Sequence, residues 1–288
     1  GREVPKVIDE TDPDYRLYLE FIASQVEENF AYWRDTVHQK YPEVVFVVST
    51  TTIPSLINPR MTTNLVRLAD SPKSEFFLAL NKKFNLKVFE ENSSLAKPED
   101  DIRMVLGWTL LRDSAEGRPP HIWTSGFSDR QQTLAFVSAV LTYGAIANLD
   151  VAEANLLDVN RLPEKTPREA LEAAFALGNK VSPYLSHTHP MRWAAIHFSE
   201  RSRDYRGSDL VTAWREVLWP VTGAFGVFVI EGLPVVIVND YQFENGQLDG
   251  YKLLFLTNPD ELTPSQRQSV EQFEANGGVV IKNDKNWT

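Results

Sequence analysis

Residues 233–240 read LPVVIVND, residues 251–256 read YKLLFL, and residues 263–281 read TPSQRQSVEQFEANGGVVI. The first two stretches are short runs of Val, Ile, Leu and Phe ending at polar residues, as strands of a parallel sheet do. Thr263 followed by Pro264 starts a helix, with a hydroxyl at the N-cap and proline at the first helical position. That helix runs to Asn276, and Gly277–Gly278 feed the strand VVI (279–281). With AAIHFSE (194–200) as a further strand and residues 208–230 mainly helical, residues 191–288 read as an open, flavodoxin-like, doubly wound α/β domain that holds only four strands.

Upstream, the same alternation recurs. Residues 14–41 carry Tyr18, Phe21, Ile22, Val26, Phe30, Trp33 and Val37 at steps of three and four, an amphipathic helix that Pro42 ends. The run VVFVVST (44–50) is continuous and β-branched, the pattern of a strand buried on both faces. LVRLAD (65–70) reads as a shorter strand, and SEFFLAL (74–80) suits strand or helix equally. Residues 98–117 form a helix with three acids in its first turn, where the helix dipole favours them. HIWTSGF (121–127) is a strand, Ser128 caps the next helix, AIANLDV (145–151) is a strand and residues 166–181 are helical. Strand and helix alternating at this spacing mark parallel βα units over residues 1–190. Proline, serine and histidine cluster at 182–191 and set the boundary.

Composition narrows the function. The 288 residues contain no cysteine, which excludes disulfides, thiolate metal sites and a cysteine nucleophile. A net charge of −10 argues against nucleic acid as a partner, because phosphate-backbone binding needs clustered Lys and Arg. The most apolar window, Trp219–Val238, is interrupted by Pro220, Gly223, Gly226, Glu231 and Pro234, so no membrane anchor is expected. The compartment, cytoplasmic or periplasmic, stays open. GxGxxG, GxxxxGK[ST] and GxSxG are all missing, and no cofactor is expected.

Ligands of parallel α/β folds sit at the carboxyl ends of the strands. By that rule the candidates are Asp70 and Glu75 around the second strand, Trp123 and Ser125 on the third, and Asp150 and Glu153 on the fourth. Paired carboxylates beside an aromatic platform suit a carbohydrate: the acids serve a leaving oxygen or a cationic ring, and Trp packs on the C–H face of a pyranose. Glu75 and Asp150 are the expected catalytic pair, and Asp70, Trp123, Ser125 and Glu153 the substrate contacts. The plainer alternative is that such acids only cap the following helix. His121 opens its strand, away from the site, and reads as structural. His187 and His189 lack further ligands at metal spacing, so no metal is expected. Arg112–Asp113 is either a solvated helix pair or points towards the site, and the first is favoured. SERSRDYRG (199–207) is either a binding lip or an inter-domain salt-bridge cluster, and the second is favoured.

The second block, AAIHFSERSRDYRG followed by LPVVIVNDYQFENGQLDGYKLLFLTNPDELTPSQRQSVEQFEANGGVVI, resembles the trimerisation domain of glycoside hydrolase family 42 β-galactosidases, which has a class I glutamine amidotransferase-like fold. The first block is similar to the second half of the (β/α)8 barrel that precedes it, with TTNLVRLAD, HIWTSGF and LTYGAIANLDV at strands six, seven and eight. The resemblance implies glycosidic hydrolysis by two carboxylates, a partnership with the other barrel half, and a homo-oligomer, a trimer being one form. In that family glutamates end strands four and seven. Here HIWTSGF carries no glutamate and strand four has no counterpart, so Glu75 and Asp150 stand as substitutes. A non-catalytic carbohydrate-binding or oligomerisation module is the alternative expectation.

Overall fold

A computed structural model describes residues 3–6, 9, 11–50, 63–75, 100–124, 130–149, 168–185, 188–206 and 210–283. Among them, two four-stranded parallel sheets account for the strands. The first contains β1 (Val47–Thr50), β2 (Ser71–Glu75), β3 (His121–Thr124) and β4 (Ile146–Leu149) in chain order. Sequential order with every pair parallel is what consecutive βα units of a barrel wall produce. Helix α1 (Pro13–Lys40) precedes β1; Asp12 caps it by accepting from the Asp14 N–H, with Pro13 at the first helical position. Next come α2 (Thr63–Leu68), α3 (Asp100–Ser114), α4 (Arg130–Thr142) and α5 (Arg168–Leu185). Ile122 of β3 is fully buried against Trp108 and Leu111 of α3 and Phe136, Val137 and Val140 of α4, which form the core behind this sheet.

Two expectations change here. Residues 65–70 are not a strand: Leu65–Leu68 belong to α2, and the strand is the next segment, Ser71–Glu75. A segment as polar as SPKSE becomes a strand because β1 and β3 pair with it on either side, so tertiary pairing overrides local preference. Nor is 44–50 covered on both faces. Among the described residues β1 pairs only with β2, and Val44, Val45 and Val47 are 42%, 62% and 46% exposed. The apolar stripe of α1 is similarly uncovered, with Phe21 and Trp33 more than half exposed and only Leu19 buried.

The second sheet contains β5 (Ala194–Phe198), β6 (Val235–Asn239), β7 (Leu253–Leu256) and β8 (Val279–Lys282), all parallel, in the order β6-β5-β7-β8. Counted from β5 this is 2-1-3-4, the beginning of the flavodoxin-like strand order. Central β5 is buried at all five residues. After α6 (Glu200–Arg206), α7 (Leu210–Ala213) passes through a π-turn at Trp214–Leu218 into α8 (Trp219–Ile230). Capping boxes open α9 (Asp240–Glu244) and α10 (Pro264–Ala275), built by Asn239 with Gln242 and by Thr263 with Gln266. Gly277 takes φ +84°, and a Cβ on Gly278 would lie 2.3 Å from the Phe273 ring, so both glycines are needed where α10 turns into β8.

Helix α3 joins the two sheets. Leu106 and Leu110, four residues apart, pack with Ile196, Phe198 and Phe225 of the second core, while Trp108 and Leu111 pack in the first. Its C-terminal end explains why Arg112–Asp113 is not a solvated pair. Asp113 accepts the Ile237 N–H of β6 (2.8 Å) and the Arg112 Nε–H (2.7 Å), and its side chain is 7% exposed. Gln242 donates to the Asp113 carbonyl (2.8 Å), and Asn239 Nδ2 to Ser114 Oγ (3.2 Å).

Candidate functional site

The carboxyl edge of the first sheet is built by backbone register. Glu75, the last residue of β2, is paired with Trp123 of β3, which is paired with Asn148 of β4. Two residues earlier, Lys73, His121 and Ile146 form the next row on the same face. Because Ile122 points into the helical core, alternation turns His121 and Trp123 to the opposite face, where both stay half-buried. Lys73 Nζ lies 5.1 Å from the centre of the Trp123 ring, a cation–π arrangement. Burial, and then the Lys73 charge, hold the His121 imidazole below its usual pKa, favouring the neutral ring. This face therefore presents an indole, an ammonium, a neutral imidazole and a carboxamide in adjoining rows.

The expected site residues divide as follows. Glu75 and Trp123 share a row, and Asp150 directly follows Leu149, the end of β4. Asp150, Ser125 and Glu153 lie outside the described residues. Asp70 is displaced: because α2 replaces the expected strand, Asp70 opens β2 instead of closing one, at the amino edge. There its carboxylate accepts the Phe46 N–H (2.6 Å) and pairs with His38 Nε2 (2.8 Å), while its own N–H donates to the Phe46 carbonyl (3.0 Å). Asp70 thus staples β1 to β2. Lys73 and Asn148 carried no motif; only the correct strand register brings them beside Trp123.

A second polar cluster stands at the carboxyl edge of the other sheet. Buried His197 places Nε2 2.8 Å from Asp240 Oδ1, and Asp240 also accepts from the Arg201 N–H (2.9 Å) and Gln266 Nε2 (3.0 Å). Burial alone would raise the Asp240 carboxyl, but the His197 contact and these donors hold it below the usual range. Glu200 reaches α2, accepting the Thr63 N–H (2.6 Å) and Thr63 Oγ1–H (3.0 Å). Arg203 pairs with Asp204 at 2.7 Å, Arg201 with Glu20 of α1 at 3.4 Å, and Arg206 with Asp260 and Glu261 at 3.2 Å each. Of these contacts, the Glu200–Thr63 hydrogen bonds and the Arg201–Glu20 pair join residues 199–206 to the first block, whereas the Arg203 and Arg206 pairs stay within the second. Burial pushes the Glu200 carboxyl up to about 7, opposed by Arg203 and reinforced by Asp240. His189 is exposed, His187 lies outside the described residues, and no group of three potential metal ligands occurs among the described residues. No helix among them is long and apolar enough to cross a membrane.

Solved structures similar to this chain include β-galactosidases, as the resemblance in the second block implied. The enzyme from the psychrophilic Marinomonas ef1 matches 96% of this chain at 15% identity with a TM-score of 0.63, over 45% of its own length. That from Bacillus circulans sp. alkalophilus matches 93% at 13% identity and a TM-score of 0.65, over 39% of its length. The polyextremophilic enzyme of the Antarctic haloarchaeon Halorubrum lacusprofundi matches 94% at 13% identity and a TM-score of 0.68, over 42% of its length. At these identities the likeness is one of fold: parallel α/β architecture consistent with part of a barrel-type glycosidase. The chain spans less than half the length of each of these enzymes. No protein-family model and no curated protein sequence matches it.

Proposed function

We propose that this chain is a segment of a β-galactosidase-like glycoside hydrolase: the second half of a catalytic barrel over residues 1–190, joined to an amidotransferase-like, trimerisation-type domain over residues 191–288. The observation that carries this reading is the fold match with β-galactosidases over 93% to 96% of the chain. Glycosidic cleavage needs one carboxylic acid to protonate the leaving oxygen and one carboxylate as nucleophile or base. Glu75 at the tip of β2 and Asp150 just past β4 flank β3, the strand that carries Trp123. Two strand spacings, about 10 Å, separate those tips, a span suited to side chains reaching across a sugar ring. Trp123 offers the ring's C–H face a platform, and Ser125 and Glu153 supply hydroxyl contacts.

Four further βα units would close the sheet into an eight-stranded barrel. The exposed edge at β1 and the bare stripe of α1 support such a partner half, since unpaired edges and large apolar patches are normally covered. Without cysteine the second domain performs no glutaminase chemistry, which leaves assembly of a homo-oligomer, such as a trimer, as its task. A protein carrying this chain together with its barrel partner should release nitrophenol from nitrophenyl β-D-galactoside without added metal or cofactor. Failure to cleave any aryl glycoside would contradict hydrolysis. The absence of glutamate from β3 (HIWT) favours a second reading, a non-catalytic carbohydrate-binding or oligomerisation module. Calorimetric binding of an oligosaccharide that is never cleaved would select it.

A further inference from the structure

A cleft of about 1050 Å³ lies between the two domains at the amino edge of the first sheet, opposite the edge that carries Glu75 and Trp123. Its walls are the C-terminal turn of α3, the chain entering β3 and β4, the end of α5, the connection at 188–192 and strand β6. Boundaries between domains are where small-ligand sites preferentially form, and the volume matches that of such sites. The overall charge of the chain is −10, yet Arg112, Arg118, Arg192 and His189 all line this cleft. The acids facing them are Asp113 and Glu116. Asp113 is already engaged by Arg112 and by the Ile237 N–H. Arg118 is committed to the carbonyls of Ala115, Ala69 and Arg67.

Arg112 is engaged as well, by an acid and a carbonyl, and Arg192 is the more open of the two. Arg112 directs Nε to Asp113 and Nη1 to the Tyr143 carbonyl at 3.4 Å. Arg192, which is exposed, has Nη1 3.3 Å from the Asp249 carbonyl and its guanidinium 5.9 Å from the centre of the Tyr251 ring. Both guanidinium groups reach the same phenol electrostatically. Burial and then Asp113 push the Tyr251 hydroxyl up to about 12, while Arg192 and Arg112 pull it the other way. A guanidinium beside an aromatic ring, with a second guanidinium on the same cleft wall, suits an anion attached to a ring-shaped body.

We propose that this inter-domain cleft binds a sugar-sized ligand bearing a carboxylate or phosphate, its anionic group held by Arg112 and Arg192 and its ring set against Tyr251. The proposal is independent of hydrolysis, because the cleft and the candidate catalytic edge lie at opposite ends of the same strands. Bound ligand would tie α3 to the inter-domain connection and so stabilise domain packing.

The test is calorimetric titration of the chain with D-galacturonate, D-galactose 6-phosphate and D-galactose, repeated on Arg192→Gln. At least one of the two anions should bind about tenfold or more tightly than galactose, and Arg192→Gln should weaken it about tenfold, a factor expected for loss of one charge-assisted contact. Which anion binds distinguishes a carboxylate from a phosphate ligand. Affinity should also fall as salt is raised. Because Arg192 is exposed, the variant should keep the melting temperature of the parent, which ties any loss to the contact. Absence of binding by both anions at millimolar concentration, galactose binding as tightly as the anions, or an unchanged affinity in Arg192→Gln would each overturn the proposal.

Discussion

On the proposed glycosidase reading, turnover of aryl β-galactosides by a protein carrying this chain and its barrel partner should fall about a thousandfold when Glu75 becomes Gln, and by a similar factor for Asp150→Asn, the loss expected when a positioned acid, base or nucleophile is removed. Both substitutions keep size and polarity and remove only the ability to hold or release a proton, so KM should change far less than kcat. The sheet register is the reason for the choice: Glu75 stands on the row of Trp123, and Asp150 one residue beyond the end of β4. Asp70 provides the contrast. It staples β1 to β2 at the amino edge, so Asp70→Asn should lower stability and leave kcat within about twofold. Steady-state rates of the three variants decide the matter. Rates of Glu75→Gln and Asp150→Asn close to the parent's would remove both from the chemistry.

The Glu200→Gln variant should be more stable than the parent at pH 8 by about 3 kcal/mol and nearly equal to it at pH 5. Burial lifts the Glu200 carboxyl in the folded chain to about 7, from an ordinary value of 4.5. Between those two values the folded chain retains a proton that the unfolded chain has released. Stability therefore declines as pH rises through the window, and the loss is complete above about 7, at roughly 1.4 kcal/mol per unit of difference. The Glu200 side chain is 16% exposed, so solvent screens little of this. Gln keeps an acceptor for the Thr63 N–H and cannot ionise, while Arg203 retains Asp204. Denaturant unfolding of both proteins from pH 5 to 8 should give curves that diverge with rising pH; parallel curves would refute the assignment.

Elements whose signals are local were legible in the sequence. Thr263–Pro264 marked the start of α10, since the capping box satisfies that helix's first N–H groups whatever surrounds it. The largely apolar AAIHF, with His197 as its one polar residue, became the fully buried centre of its sheet. Misread segments depend on distant chain. LVRL becomes α2, whose first residue is held by Glu200, 137 positions away, and whose Arg67 stacks over the Tyr241 ring at 4.2 Å. SPKSE becomes a strand only between two neighbours. Arg112–Asp113 looks like an ordinary surface pair because nothing in its own helix announces the β6 edge that its carboxylate caps. In the candidate site, Trp123 was legible on its strand, Glu75 was picked out beside a strand expected at 65–70 and instead ends the strand at 71–75, and Lys73 and Asn148 required the register of three strands. VVFVVST looks like a strand buried on both faces, yet among the described residues it pairs only with β2 and its valines stay exposed, because a run of β-branched residues carries no information about what covers it.

The central claim is that the carboxyl edge around Glu75, Trp123 and Asp150 receives the sugar. A crystal structure of the barrel-containing protein with a galactose-derived inhibitor tests it most directly. The account predicts the pyranose stacked on the Trp123 indole, with carboxylates of Glu75 and Asp150 on either side of the anomeric carbon. An inhibitor bound elsewhere, or one held at this edge by other acids with Glu75 and Asp150 turned into helix caps, would contradict it.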